Sequence, residues 1–363
     1  MTKSLLTSII LILFGFGLAA QPKENIKIRR WTDSCRFVGK AWQLDSFVRN
    51  IGRTQGEAYR NAKAISSGTG RNMWGLAICP HDAYRDVGYL YPAILSGVTA
   101  KHLLLIGTMD GSKDISITNR LIFDSFSHWQ YPYGKIPVSD AREAIMHLLP
   151  DSSYCVNNSI HQDANALEAL LPFIAYYGKG RDIIPILVAP SYNARLQQTA
   201  MDLADVLAKV LTARGWVWGR DFAIIITGNA VMYGEQEQAG ISINPYGLDS
   251  AAHGMAMNYD YDLINTYLTG PMMPMKAGGL TLITTKKEDY RIVKWPWSGR
   301  FSIPFGLYTA YYFRKKSGNE VRGFLLGYET SLTTQIPIPG KEKECPLLPG
   351  LNKWTGHFAI GYR

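Results

Sequence analysis

The chain lacks the short motifs that most readily identify an enzyme. Its 363 residues contain no Gly-x-Ser-x-Gly nucleophile elbow, no Walker-type phosphate loop and no His-Glu-x-x-His zinc helix. It has only four cysteines, and their spacing is unlike that of a zinc module. No internal repeat or low-complexity segment is present. These absences exclude the signatures of serine hydrolases, nucleotide hydrolases and zinc peptidases.

Long apolar runs are also scarce. The exception is the amino-terminal stretch MTKSLLTSIILILFGFGLAA, where one lysine precedes an uncharged apolar run that ends in small residues. This layout is typical of a secretory signal peptide, and the run is shorter than the ~20 apolar residues that a membrane helix needs. We expect residues 1–20 to be removed and the mature chain to be secreted or periplasmic, without a membrane span. An uncleaved anchor is the alternative.

Charge is sparse and dispersed along the chain. Lysine and arginine number 38 against 29 aspartates and glutamates, which gives a formal net charge of +9. The densest basic cluster, FRKKSGNEVR, is typical of a solvated turn between two elements. Scattered basic residues of this kind do not indicate a nucleic-acid partner.

What the chain does contain is an alternation of strand-like and helix-like patterns. HLLLIGT, IIPILVAP and FAIIITG are typical of buried parallel strands. DAREAIMHLLP, DANALEALLPFIAYY and RLQQTAMDLADVLAKVLTARG repeat apolar residues at helical spacing, and Gly215 ends the last one. We expect one α/β domain over residues 21–363, a single mostly parallel central sheet covered by helices on both faces. A long surface loop is expected at 332–355, before the last strand.

The cysteines allow several disulfide pairings. An even count in an oxidising compartment permits up to two bridges, in three possible full pairings. Cys79 lies in an apolar run and is expected to be a buried thiol. Cys155 and Cys345 lie in polar, loop-like surroundings, which favours a bridge between them, and the role of Cys35 stays open.

One stretch, ICPHDAYRDVGY, places His81 directly after an apolar run that ends at Pro80. The carboxyl edge of an α/β sheet is where such folds bind ligands. This stretch resembles the Pro-His-Ala-Gly-Tyr motif of the Memo-like family, whose bacterial members are called AmmeMemoRadiSam system protein B. Further segments resemble that family in order along nearly the whole mature chain: SCRFVGKAWQLDSFVRNI, LLLIGTMDG, HWQYPYGKIPVSDA, ANALEALLPF with IIPILVAPSY, IIITGNAVMYG, and SGRFSIPFG with FAIGYR.

The resemblance implies the fold of class III extradiol dioxygenases, whose cleft holds a non-haem iron or a related metal. Here the first family histidine is kept as His81, and Glu168 keeps the second glutamate of the Glu-His-Ser-x-Glu motif. A transition metal needs three or four imidazole, thiolate or carboxylate donors. His81 is the one certain donor that remains at the family's metal positions, so we expect no cofactor. The positions that depart from the family are Asp110 and Gly111 for its histidine pair, Asn165 for the histidine of Glu-His-Ser, and Asn229, Val231, Met232 and Tyr233 for the acidic residue, cysteine, histidine and tryptophan of the last motif.

We therefore expect a metal-free cleft that binds a small polar or anionic molecule, or a peptide. Each candidate also has a structural alternative, namely a loop hydrogen bond, a turn, a salt bridge for Glu168, or core packing for the tyrosines. The ligand-binding candidates are His81, Tyr84, Asp110, His161, Asn165, Glu168, Asn229 and Tyr233.

The competing hypothesis is an enzyme. A metal-dependent oxidoreductase of the dioxygenase kind could hold iron, copper or zinc on a rearranged set of His81, Asp110 and His161. A metal-free hydrolase could instead use His81 as its base and Asp110 as the orienting partner, with Asn229 beside them. The sequence leaves the ligand, the reaction and the oligomeric state open.

Overall fold

The computed structural model describes residues 27–67, 73–109, 116–236, 241–316, 318–341 and 349–363. The predicted signal peptide, Asp110, Gly111 and Cys345 lie outside these residues. In the ranges just given, no helix combines the length and the apolar character needed to cross a bilayer.

Helices and strands alternate along the chain. The helices are α1 Ala41–Thr54, α2 Gly56–Ser67, α3 Tyr84–Val87, α4 Leu90–Leu95, α5 Ala141–Leu148, α6 Asn158–Asp163, α7 Leu171–Tyr177, α8 Asn193–Arg214, α9 Ser250–Tyr267, α10 Pro274–Thr284 and α11 Ser302–Lys315. The strands are β1 Ile28–Arg29, β2 Leu76–Cys79, β3 His102–Thr108, β4 Leu121–Phe123, β5 His128–Tyr131, β6 Gly134–Pro137, β7 Tyr154–Val156, β8 Asp182–Val188, β9 Phe222–Thr227, β10 Met232–Gln236, β11 Ile241–Ile243, β12 Gly270–Pro271, β13 Arg322–Thr330 and β14 Lys353–Tyr362.

The main sheet is mixed, so the expectation of a mostly parallel sheet is wrong. Its strand order is β11-β10-β14-β2-β9-β3-β8-β4-β7, with β13 and then β12 attached through β14, and β1, β5 and β6 form a separate small sheet. The centre, β2-β9-β3-β8, is parallel throughout, and β7 runs parallel to β4 at one end of the sheet. On one flank β14 runs antiparallel to β2, and on the other β4 runs antiparallel to β8. β13 and β14 also pair with each other in antiparallel orientation, which extends the antiparallel flank.

Helices cover both faces of the parallel centre, as expected. Alternate residues of a strand point to opposite faces of its sheet. Leu104 and Ile106 of β3 therefore belong to one core, with α8 and α11. Leu103 and Leu105 belong to the other core, with α4 and α7. The sheet thus lies between two hydrophobic layers.

Most elements lie where the sequence patterns predict them, but one helix is shorter than expected. β3, β8 and β9 match the three apolar runs, and α8 ends at Gly215 with φ 66° in the left-handed region. Of the helix expected at 163–177, only Leu171–Tyr177 is α-helical, as α7, and a 3-10 turn at Glu168–Leu170 precedes it. Pro172 lies in the first turn of α7, where a missing N–H costs nothing. β14 begins at Lys353, so its first residues fall within the loop expected at 332–355.

The cysteine chemistry differs from the favoured pairing. Cys35 is disulfide-bonded. Cys79 and Cys155 are present as thiols, so the expected Cys155–Cys345 bridge is wrong. Cys155 lies on β7 opposite Ile122 of β4 and packs against the core, instead of lying in a loop. Cys79 is fully buried, as expected, and burial raises the pKa of its thiol well above the usual value.

Candidate functional site

The carboxyl ends of β2, β9 and β3 meet at one edge of the sheet because these three strands are parallel neighbours. His81 follows β2 by two residues, and Asn229 follows β9 by two residues. Asp110 would come two residues after β3, outside the described ranges. The sheet edge predicted from the sequence is therefore a place where the ends of three strands meet.

His81 and Asn229 are joined by a hydrogen bond. The backbone N–H of His81 donates to Asn229 Oδ1 at 3.2 Å. The backbone N–H of Asn229 in turn donates to the Ser298 hydroxyl at 2.8 Å, and Gly228 N–H donates to the Cys79 carbonyl at 3.1 Å. His81 is 9% exposed and Asn229 is 4% exposed. The result is a largely buried junction built from amide and hydroxyl groups.

A buried carboxylate that the sequence analysis missed holds the segment after Asn229. Asp260 of α9 accepts the indole N–H groups of Trp295 and Trp297 at 2.9 and 2.7 Å. It also accepts the Tyr328 hydroxyl at 2.7 Å and the Val231 backbone N–H at 3.1 Å. Burial raises the pKa of Asp260 to about 6, although the four hydrogen-bond donors favour the charged carboxylate and act in the opposite direction. In the sequence, the tryptophans were the only sign of this site, because a buried indole N–H needs a hydrogen-bond acceptor.

Asp82, which directly follows His81, forms an imidazole–carboxylate contact with His357 of β14. His357 Nε2 of β14 lies 3.4 Å from Asp82 Oδ2, and Arg36 Nη1 lies 3.8 Å from Asp82 Oδ1. Burial alone would raise the pKa of Asp82, but the interactions with His357 and Arg36 hold it well below its usual range. The His357 side chain is fully buried, so this imidazole cannot reach a substrate.

Glu168 forms a buried salt bridge, which is the alternative to a ligand-binding role for this residue. Its carboxylate pairs with Arg29, and both side chains are 0% exposed. The Thr32 hydroxyl lies 2.9 Å from Glu168 Oε2 and 3.0 Å from Asn165 Oδ1. Arg29 also stacks 4.6 Å from the centre of the Trp129 ring. Glu168 and Asn165 therefore fasten the segment after β1 to the domain.

His161 has a structural role of its own. It is fully buried, and its Nε2–H donates to the Ile122 carbonyl of β4 at 2.9 Å. Burial lowers the pKa of His161. β4 is the fourth strand from β2 in the sheet, about 19 Å away at ~4.8 Å per strand. Among the described side chains, no three of His, Cys, Asp or Glu are grouped closely enough to hold a metal ion.

Tyr84 and Tyr233 belong to the core instead of lining a ligand cleft. Both are 0% exposed. Tyr84 donates its hydroxyl to the Ala169 carbonyl at 2.7 Å and packs against Phe173, with ring centres 5.0 Å apart. Tyr233 donates its hydroxyl to the Gly247 carbonyl at 2.9 Å. Their bulk is needed for packing, because buried aromatic rings with satisfied hydroxyl groups contribute strongly to a core.

A pocket of about 180 Å³ is lined in part by Ala83 and Arg85, which lie in the HDAYRD segment, residues 81–86. Arg36, Arg85 and Lys341 contribute cationic side chains to its wall. This grouping could not be predicted from the sequence, because Arg36 and Lys341 are separated by most of the chain. Their meeting depends on the tertiary fold.

Asn229 and Val231, at two of the positions that the resemblance assigns to metal ligands, do not suit an iron, copper or zinc site. Asn229 offers a neutral amide oxygen, which already accepts the His81 N–H. Val231 is fully buried and has no donor atom in its side chain. Soft or borderline metals prefer thiolate and imidazole donors. No protein-family model matches the chain, and no curated protein matches it either.

Proposed function

We propose that this chain is a divergent, exported Memo-like protein that binds a small polar ligand without a metal. The binding place is the sheet edge where His81 and Asn229 meet. The observation that carries the proposal is the hydrogen bond between His81 N–H and Asn229 Oδ1, at a position where the family has an acidic residue. The acidic residue of the family can bind a cation, whereas Asn229 holds the loop that contains His81.

The chemistry of this edge suits a small polar ligand. Ligand sites in α/β folds combine apolar walls with a few convergent polar groups at the carboxyl ends of strands. His81, Asn229 and Ser298 supply imidazole, amide and hydroxyl groups there. A ligand that both donates and accepts hydrogen bonds matches such a set better than a metal ion does.

The family assignment is supported by the parallel centre of the sheet and the helices on both of its faces. Open α/β sheets bind ligands outside the carboxyl ends of their parallel strands, which is the edge where His81 and Asn229 lie. The motif segments lie on these elements: the Pro-His stretch follows β2, and GNAVMYG follows β9. We infer the family fold for this chain from the positions of these motif segments.

Export is supported by the disulfide at Cys35, because structural disulfides persist in oxidising compartments. We expect amino-terminal sequencing of secreted protein to start near Gln21. Recovery of an intact chain from Met1 in the membrane fraction would contradict the export proposal.

The test of the site combines metal analysis with binding. Protein purified without a chelator or a histidine tag is expected to contain far less than one equivalent of iron, copper or zinc. Saturation-transfer NMR with glycylglycine, glycerol and malate is expected to detect at least one bound probe. That signal should disappear in Asn229→Leu and His81→Ala and persist in His147→Ala, which changes an exposed histidine on α5.

Two results would overturn the proposal. Near-stoichiometric metal that is lost in His81→Ala but kept in His147→Ala would favour the oxidoreductase. Absence of binding by all three probes, or binding that Asn229→Leu leaves unchanged, would remove the ligand site from this edge.

A further inference from the structure

Helix α10, Pro274–Thr284, carries apolar residues on its water-facing side as well as on its core-facing side. Ala277 and Leu280 are buried in the core that also contains residues of α8 and α11. On the outside, Met275 is 76% exposed and Leu282 is 43% exposed. Seven residues separate these two, so they lie on the same side of the helix, about 10 Å apart. A surface helix normally presents polar residues there, so the outer side of α10 is unusual.

The apolar surface continues past both ends of the helix. Met273, directly before α10, is exposed, and so is Ile292. The backbone N–H of Lys286 donates to the Ile292 carbonyl at 3.0 Å, which brings Ile292 close to the end of α10. We call Met273, Met275, Leu282 and Ile292 together the α10 face. Exposed apolar surface of this kind is typical of a contact with a partner or a membrane.

Lysines border this face along α10. Lys294 Nζ donates to the Leu282 carbonyl at 2.8 Å, so its charge lies beside the carboxyl end of the helix. Lys276 Nζ donates to the Thr269 carbonyl at 2.7 Å, near the amino end. Residues 272–294 contain five lysines and arginines against two acidic residues. Positive charge therefore remains around the face even when every acidic residue there is paired.

The carboxyl end of α11 adds a further cation. Lys315 is exposed, and it lines one cavity together with Met272, the residue before Met273. Glu320 lines the same cavity, but it pairs with Arg322 at 3.0 Å. The amino end of the α10 face thus has a lysine beside it, like the carboxyl end.

An exposed apolar side bordered by lysines is the composition of helices that lie in the plane of an anionic membrane. The apolar side chains enter the headgroup region, and the lysines are attracted by the lipid phosphates. α10 has 11 residues and is about 16 Å long, about half of the hydrocarbon thickness, so it suits a flat position on the bilayer. The net charge of +9 attracts the whole chain to such a surface.

We propose that the α10 face binds the surface of a membrane that contains anionic phospholipid. Met273, Met275 and Leu282 enter the headgroup region, and Lys294 and Lys315 contact lipid phosphates. This inference goes beyond the function proposed above, and the face contains no residue of the His81–Asn229 edge.

The experiment is vesicle flotation of the chain that starts at Gln21. Removing residues 1–20 prevents their apolar run from binding the vesicles, and every described element follows Gln21. The protein is expected to float with vesicles made of equal parts of phosphatidylcholine and phosphatidylglycerol, and to stay largely unbound with phosphatidylcholine alone. Added salt should weaken the binding, because it screens the lysines.

Two substitutions test the two parts of the face. Met275→Glu replaces an inserting side chain by an anion and should weaken binding to the mixed vesicles by about tenfold. Lys315→Gln removes one cation and should weaken it by about fivefold. Both side chains are exposed, so both variants should fold, and thermal denaturation checks this.

The matched control is Ile65→Glu, which adds the same charge at a position of α2 that is 37% exposed. The buried Ala62 of α2 belongs to the core on the other side of the sheet. Ile65→Glu should change vesicle binding by less than about twofold. Asn229→Leu should float like the wild type, which separates this proposal from the ligand site.

Three results would overturn the proposal. Equal flotation with both kinds of vesicle would show that anionic lipid is not selected. Absence of flotation, or equal binding by Met275→Glu and Ile65→Glu, would remove the membrane from this face. A dimer in sedimentation velocity that Met275→Glu dissociates, in a protein that does not float, would assign the face to a second copy of the chain.

Discussion

Asn229 Oδ1 accepts the backbone N–H of His81 at 3.2 Å and so ties the loop after β9 to the loop after β2. We expect Asn229→Leu to cost about 1–3 kcal/mol of unfolding free energy, because the His81 N–H loses its partner in a buried place. Urea denaturation measures the change. Asn61→Ala on the exposed face of α2 is the control and should change stability by less than about 0.5 kcal/mol. Equal stability of Asn229→Leu and wild type would show that other contacts hold the loop.

Glu168 is expected to matter for stability and not for ligand chemistry. Glu168→Gln leaves the Arg29 guanidinium charged and buried without its counter-ion, which should cost about 3–5 kcal/mol. Chemical denaturation is the measurement. Glu143→Gln breaks an ion pair with Arg142 in which the Glu143 side chain is 62% exposed, and should cost less than about 1 kcal/mol. A stable Glu168→Gln protein that loses only binding would restore the ligand-binding role.

Asp260 should make stability depend on pH. Its pKa is raised to about 6 by burial, above the ordinary 3.8, so between pH 4 and 6 the folded chain binds more protons than the unfolded chain. Unfolding free energy from this group should therefore fall as pH rises through that window, by at most about 3 kcal/mol. Asp86, whose pKa burial and the Asp82 charge also raise to about 6, contributes with the same sign.

Denaturation curves at pH 4.5, 5.5 and 7 test this dependence. Asp260→Asn should reduce the slope, because the titrating group is gone. Asp262→Asn changes an exposed carboxylate on the same helix and should leave the slope unchanged. A slope that is the same in wild type and Asp260→Asn would mean that Asp260 titrates normally.

The cysteines should separate by reactivity. With Cys79 and Cys155 present as thiols, Cys345 is the remaining cysteine in the sequence to pair with Cys35, so peptide mapping should recover a Cys35–Cys345 link. Native alkylation should modify the half-buried Cys155 before Cys79, whose thiol is fully buried. Cys35→Ser should lower stability by about 2–4 kcal/mol, whereas Cys155→Ser should have a much smaller effect. A mapped disulfide at Cys155 would contradict this arrangement.

The sequence by itself determined the elements whose identity depends on local pattern. Apolar runs located β3, β8 and β9, and helical spacing with a terminal Gly215 located α8. His81 and Asn229 could be placed at one edge because residues that follow parallel neighbouring strands emerge together. Periodicity encodes which face of an element is buried, and that information is contained in adjacent residues.

The tertiary structure alone decided which strands are antiparallel, which carboxylates are paired and which cations share a pocket. The direction of β14 against β2, the pairing of Glu168 with Arg29 and the meeting of Arg36 with Lys341 all join residues far apart in the chain. Local composition has no information about such contacts, because their free energy depends on burial and distances that exist only after the chain has folded. The same reason explains why Tyr84 could be read as a ligand contact from sequence and yet packs in the core.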